Sequence, residues 1–232
     1  MACFMLVHGA WHGAWCWSRL TPELVDRGHR VLTVDLPSDD PAATFETYAD
    51  VVTARLDAEE ATDVVVVGHS LAGHTIPLVA ARRPVRRLVY LCSLVPALGA
   101  SFVDQLGSEP EMLDFSGLGD PAPDGSLAWT DREFARTFLY ADCDPDVAEQ
   151  AIDRLRPQAA APALNAFSLR AFPDVPATYI VASEDRLVQP KWSRRMARDR
   201  LGADLVEIPG SHSPFLSRAS DLAAVLAEIS RE

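Results

Sequence analysis

The run Val64-Val65-Val66-Val67, closed by Gly68-His69-Ser70-Leu71-Ala72-Gly73, constrains this chain more than any other segment. Four consecutive β-branched residues favour an extended strand, and the lack of polar alternation means that both faces of that strand are covered. Such a strand belongs in the middle of a parallel sheet, because the helices that connect parallel strands lie on its two faces. The small residues that follow turn the strand into a helical stretch that stops before Pro84.

The rest of the chain repeats this rhythm. Further strands are predicted at 3–7, 30–35, 86–92, 177–181 and 204–208, and the Val-rich strand at 63–68. Helical patterns separate them. One ends at Gly28, and one runs over 44–58 with Phe45, Tyr48, Val52 and Leu56 on one face. A third covers 190–201 with Pro190 in its first turn, and the last carries Leu222, Val225, Leu226 and Ile229. From about Leu94 to Val175 the rhythm breaks into Pro-, Gly- and acid-rich links with short helices near Thr130 and Asp144. The expected architecture is α/β: a mostly parallel sheet of about six strands flanked by helices. Residues 1–94 and 176–232 form its core, and 95–175 form an inserted, mainly helical cap.

Bulk properties exclude several classes. The formal net charge of −12 repels phosphate backbones and anionic lipid, so neither nucleic acid nor a membrane is an expected partner. Two basic clusters, Arg82/Arg83/Arg86/Arg87 and Lys191/Arg194/Arg195/Arg198/Arg200, read as solvated helix faces. The four cysteines form no CxxC pair and no zinc spacing, which predicts reduced, mostly buried thiols. No apolar run approaches the ~20 residues of a membrane helix, and the N-terminus enters a strand at once without signal-peptide features. A cytoplasmic location is expected. Asp142, Asp144, Asp146 and Asp153 loosely mimic a calcium loop, but Val147 takes the glycine position and Pro145 interrupts it. Carboxylates at a helix N-terminus explain them better, and no metal is expected.

The segment after the Val-rich strand has the strand–turn–helix context of a nucleophile elbow. Such a turn strains the serine backbone and lifts the Ser70 hydroxyl above the sheet edge. In the usual G-x-S-x-G spacing Ala72 replaces the second glycine and Gly73 follows, and a plain serine N-cap is the competing reading. A serine needs a base, and the base needs an orienting acid. Where the chain order is serine, acid, histidine, the base is His212, in the Pro209-Gly210-Ser211 loop between a strand and the last helix. The acid is Asp185 in Ser183-Glu184-Asp185-Arg186, with Glu184 as its rival. The N–H of Leu71, and that of Ala10 in the His8-Gly9-Ala10 loop after the first strand, are the oxyanion donors. His8 and His12 suit loop shaping, His69 points away from the site, and His74 is structural. Trp11, Trp15 and Trp17 are core or pocket wall, at least two of them core. Phe115, Trp129, Phe138 and Phe167 are equally read as pocket wall or cap core.

Four segments together resemble the plant methylesterase and hydroxynitrile-lyase branch of the α/β-hydrolases and its bacterial esterase relatives: VHGAWHGAWCWSRLTPELVDRGHRVLTVDLP, GHSLAG, YIVASEDRLVQP and IPGSHSPFLSRASDLAAVL. The likeness is weaker in the cap, around LYADCDPD and RLRPQ. The resemblance implies an α/β-hydrolase fold, a Ser70, Asp185 and His212 triad, Ala10 and Leu71 as oxyanion donors, no cofactor, and a pocket between core and cap. It implies a serine esterase acting on a small-molecule ester. Lyases of the branch carry threonine where Gly9 stands and lysine where Ser213 stands, so lyase chemistry is the disfavoured alternative. A non-hydrolytic small-molecule receptor on the same fold is another, separated by turnover. Oligomeric state is not legible, and a homodimer stays open.

Overall fold

The computed structural model describes residues 1–114 and 116–231; Phe115, one of the aromatic candidates, lies outside the described residues. Six strands form one sheet: β1 (Cys3–Val7), β2 (Arg30–Thr33), β3 (Val64–His69), β4 (Arg87–Leu91), β5 (Ala177–Ala182) and β6 (Asp204–Ile208). Their order is β2-β1-β3-β4-β5-β6, and every pair is parallel. The Val-rich strand lies where its composition demands. Val67 pairs with Leu6 on one side and Val89 on the other, and all four valines are buried.

This order carries the functional geometry. The chain steps from β1 outward to β2, then returns to place β3 on the other side of β1. The loops after β1 and β3 therefore diverge from one point at the carboxyl edge, where open α/β sheets bind their ligands. Ala10 is on one of those loops and Ser70 on the other.

Helices α1 (Leu20–Asp26), α2 (Phe45–Ala58) and α3 (Ile76–Arg82) link the first strands. Thr44 caps α2 in a reciprocal capping box with Thr47, and Phe45, Tyr48, Val52 and Leu56 are buried beneath it. Between β4 and β5 the chain carries α4 (Phe102–Ser108), α5 (Arg132–Leu139), α6 (Pro145–Ile152) and α7 (Ala161–Leu164). Helices α8 (Pro190–Met196), α9 (Pro214–Ser217) and α10 (Ala219–Ile229) complete the layers. Two predicted elements end earlier than expected by more than one residue. The helix expected over 190–201 stops at Met196, widens into a π turn, and ends at Gly202 with φ +57°. The second strand ends at Thr33 because Asp35 turns away to accept the Ala14 N–H at 2.8 Å.

The basic clusters are neutralised locally. Arg82 pairs with Glu46 and Asp50, Arg86 with Asp63, Arg87 with Asp204, Arg194 with Glu207, and Arg200 with Glu109. Cys3, Cys16 and Cys92 are buried free thiols, and Cys143 is half-buried. Among the described residues no helix is long and apolar enough to cross a membrane.

Candidate active site

Ser70 directly follows the Val-rich strand with φ +52°, in the left-handed region that non-glycine residues avoid. Such strain costs about 1–3 kcal/mol and must be held by its surroundings. Here the Ser70 carbonyl accepts the Leu94 N–H at 2.9 Å and the Ser93 hydroxyl at 2.8 Å, which fastens the turn to the chain beyond β4. The close approaches explain the altered glycine spacing. A Cβ on Gly68 would stand 2.7 Å from Ile76, and one on Gly73 would stand 1.8 Å from the Leu94 carbonyl oxygen. The contact that needs glycine thus falls at Gly73, and the Ala72 methyl is accommodated. The single helix expected after the turn is instead a tight 3₁₀ turn, Ser70–His74, followed by α3.

The loop after β1 presses on this turn. A Cβ on Gly9 would meet the Ser70 Cβ at 2.7 Å and the His69 carbonyl at 2.9 Å. Two buried histidines shape the loop. His8 Nδ1–H donates to the Gly9 carbonyl at 2.8 Å, and its Nε2 accepts the Leu36 N–H at 3.0 Å. His12 Nδ1–H donates to the Ala10 carbonyl at 2.8 Å, and its Nε2 accepts the Tyr140 hydroxyl at 2.8 Å. The partners fix the tautomers, because a carbonyl only accepts and a backbone N–H only donates. Burial pushes the pKa of His8 down to about 4 and that of His12 to about 3. Both rings are neutral at pH 7 with both nitrogens engaged, which is loop shaping and not base chemistry.

His212 and Asp185 come together at the same edge. His212 Nδ1–H donates to Asp185 Oδ2 at 2.8 Å, and both side chains are buried. The other carboxylate oxygen accepts the N–H groups of Leu187 at 2.9 Å and Val188 at 3.0 Å, so Asp185 is oriented on both sides. Its loop is tied to the histidine loop by Ser183 N–H to the Ile208 carbonyl and Glu184 N–H to the Gly210 carbonyl. The rival acid, Glu184, is exposed. With Nδ1 protonated toward Asp185, Nε2 holds the lone pair a base needs. Among the described residues no hydrogen bond joins that nitrogen to Ser70 Oγ; such bonds are often long without substrate and tighten when it binds. The ring of His69 packs on that of His212 with centroids 4.6 Å apart and donates through Nε2 to the His212 carbonyl at 2.9 Å. His74 stacks on Phe45 at 4.7 Å.

One turn, directly after α5, reaches both loops. Tyr140 holds His12, and Asp142 accepts the Ser211 hydroxyl and the Arg218 Nε–H, the latter at 3.3 Å. Gly210 has φ +114°, and a Cβ there would stand 2.6 Å from Asp142 Oδ2. This corrects the reading of Asp142 as a carboxylate at a helix N-terminus: Asp144 caps α6, Asp153 pairs with Arg132, and Asp142 braces the histidine loop. Tyr140 and Asp142 are the residues sequence reasoning missed, and their sequence neighbourhood shows only a helix end.

A cavity of about 190 Å³ lies over the edge. Ala10, Ser70 and Leu71 form its core-side wall, and residues of the β4–β5 insertion, among them Phe102, Leu127 and Leu164, form the other. His212 and Asp185 do not line it. Trp11 does, with its indole N–H on the Leu127 carbonyl at 3.0 Å. Trp17 is buried against Phe215, and Trp15 is half-buried beneath Arg154. Trp129 stacks on Phe138, and Phe167 sits edge-on to His74, so these three serve packing and do not line the cavity. Among the described residues no three His, Cys, Asp or Glu side chains gather in a way that could hold a metal ion.

Comparison with known proteins gives the chain a family and a fold. The alpha/beta hydrolase family model matches residues 4–225. Norfluorocurarine synthase 2 of Strychnos sp is 30% identical, covering 99% of this chain and 95% of the relative. Methylesterase 3 of Arabidopsis thaliana is 29% identical, covering 98% and 95%. The solved structure of polyneuridine aldehyde esterase is 25% identical with a TM-score of 0.80, covering 99% of each chain.

Proposed function

The chain belongs to the alpha/beta hydrolase family and is a carboxylic-ester hydrolase, and on that premise we propose that Ser70, His212 and Asp185 cleave a small ester through an acyl-enzyme. Ser70 Oγ attacks the ester carbonyl as its proton passes to His212 Nε2. The Ala10 and Leu71 N–H groups receive the developing oxyanion, each worth roughly 10²–10³ in rate. His212 then gives the proton to the leaving alcohol. Water, deprotonated by the same nitrogen, attacks the acyl carbon and restores Ser70. Asp185 keeps the ring in the Nδ1–H tautomer and stabilises the imidazolium of each step. The β4–β5 insertion acts as the cap that excludes solvent.

The observation that carries this reading is the strained Ser70 on the cavity wall, flanked there by Ala10 and Leu71. Gly9 supports it against lyase chemistry: a β-branched residue at that position would press on Ser70 Cβ. The test is fluorophosphonate labelling read by intact mass, combined with turnover of aryl and methyl esters. The wild-type chain takes one label and turns over, and Ser70→Ala does neither. A Ser70→Ala chain that still labels and still hydrolyses ends the proposal.

A further inference from the structure

The cavity wall is apolar, with few polar groups. Among the described lining residues no side chain bears a charge, and the Trp11 N–H is already committed to Leu127. Beyond Ser70, the remaining lining residue with an uncommitted polar group is Gln158.

Gln158 is held firmly. Its backbone pairs with that of Leu127 in both directions, at 2.8 and 2.9 Å. Its side-chain Nε2 donates to Tyr48 Oη at 3.1 Å and to the Ala159 carbonyl at 3.1 Å. The carbonyl partner can only accept, which fixes the amide orientation, and the two bonds use both N–H groups. Among the described residues nothing donates to Oε1. The residue is 7% exposed and lines the cavity, so what the amide can present there is an acceptor and no donor.

We infer that the group bound in this cavity is uncharged, apolar over most of its surface, and carries one hydroxyl or N–H that donates to Gln158 Oε1. A carboxylate or phosphate placed against Gln158, away from the Ala10 and Leu71 N–H groups, would meet an acceptor and no cation. An ammonium would meet no carboxylate. A wholly apolar group would strip water from Oε1 and leave it without a donor, at a cost of roughly 5- to 100-fold in binding. Gln158 is thereby a specificity-determining residue. The inference rests on the ester-hydrolase reading for the reaction, and on the cavity alone for the binding.

The test uses aryl esters matched in shape, with a hydroxyl or a methyl at each ring position in turn. In the wild-type chain at least one position favours hydroxyl over methyl by about 10-fold in kcat/KM. In Gln158→Met that ratio collapses toward one. The same pairs, as non-reacting phenol and toluene analogues, are titrated calorimetrically into Ser70→Ala, where the hydroxyl member binds more tightly. Methyl favoured or equal at every position in the wild type overturns the inference, as does a hydroxyl preference that survives intact in Gln158→Met. Should Gln158→Met not fold, the wild-type panel and the Ser70→Ala titrations decide. An active Ser70→Ala chain would defeat the catalytic reading while leaving the binding comparison legible; a silent Ser70→Ala chain with no hydroxyl preference defeats this inference alone.

Discussion

On one side of the cavity, Ala10, Ser70 and Leu71 sit at the ends of strands, locked by backbone hydrogen bonds and by buried, neutral histidines. On the other, the wall is made of residues from short helices and the links between them, and Val103 and Leu164 remain 49% and 63% exposed. The first wall tolerates almost no change of shape: a single added methyl at Gly9 or Gly73 collides with backbone or with the nucleophile candidate. Apart from Leu127 and Gln158, the second is apolar and partly open, so positions such as Val103 and Leu164 can alter in size at little cost. The contrast teaches where the chain stores positional accuracy, at the sheet edge, and where it leaves room for a substrate to choose.

The comparison is broken most severely by Asp185→Asn. An amide there cannot hold the Nδ1–H tautomer by accepting alone, and kcat should fall by about 10³–10⁴ with little change in KM. Pre-steady-state kinetics on an aryl ester would check it; a loss under tenfold would show that the carboxylate is not the orienting group.

Mild acid probes the core and not the insertion, because all six histidines lie outside the β4–β5 insertion. The folded values for His8 and His12, about 4 and about 3, lie below the ordinary 6.5, so the unfolded chain takes up protons first as pH falls. The stability they contribute is complete above pH 6.5 and is lost on acidification toward pH 4, with a slope of up to about 1.4 kcal/mol per pH unit for each ring. His69, His74 and His29 are lowered in the same direction and add to the slope, so urea unfolding between pH 7 and 5 should show it and His12→Gln should reduce it by one ring's share. An unchanged slope would mean that His12 is not held neutral.

Next in size are the two groups that cross from the insertion to the edge. Tyr140→Phe removes the hydroxyl donor to His12, and Asp142→Asn weakens the hold on Ser211 and Arg218. Each should lower kcat by about tenfold and leave KM within about twofold. A change confined to KM would reassign them to substrate contact. The smallest effect belongs to the open wall: Leu164→Ser should raise KM for aryl esters by about two- to fivefold with kcat unaltered, as expected for one half-exposed apolar contact.

Legibility from sequence divides along the same line. All six strands were readable, the inner ones as nearly continuous apolar runs, and so were the places of Ser70, Asp185 and His212 in loops that follow β3, β5 and β6. The boundary errors fall where a side chain ends an element, as Asp35 does beyond β2. The insertion was readable as short helices, but their docking was not. Phe102, Leu127 and Gln158 line the cavity while Trp129 and Phe138 stack together, and no local pattern separates the two groups. The role of Asp142 was hidden for the same reason: its partner Ser211 is distant in sequence and near only once the sheet has formed.

The turn that carries Tyr140 and Asp142 also limits how the molecule can be re-engineered. Loops grafted into the stretches before α5 or after α6 would remodel the chamber while the edge keeps its alignment. A graft that replaces residues 139–143 removes in one stroke the strut under the loop after β1 and the strut under the His212 loop. Attempts to borrow selectivity from a relative by wholesale exchange of its lid should therefore leave that pentapeptide untouched.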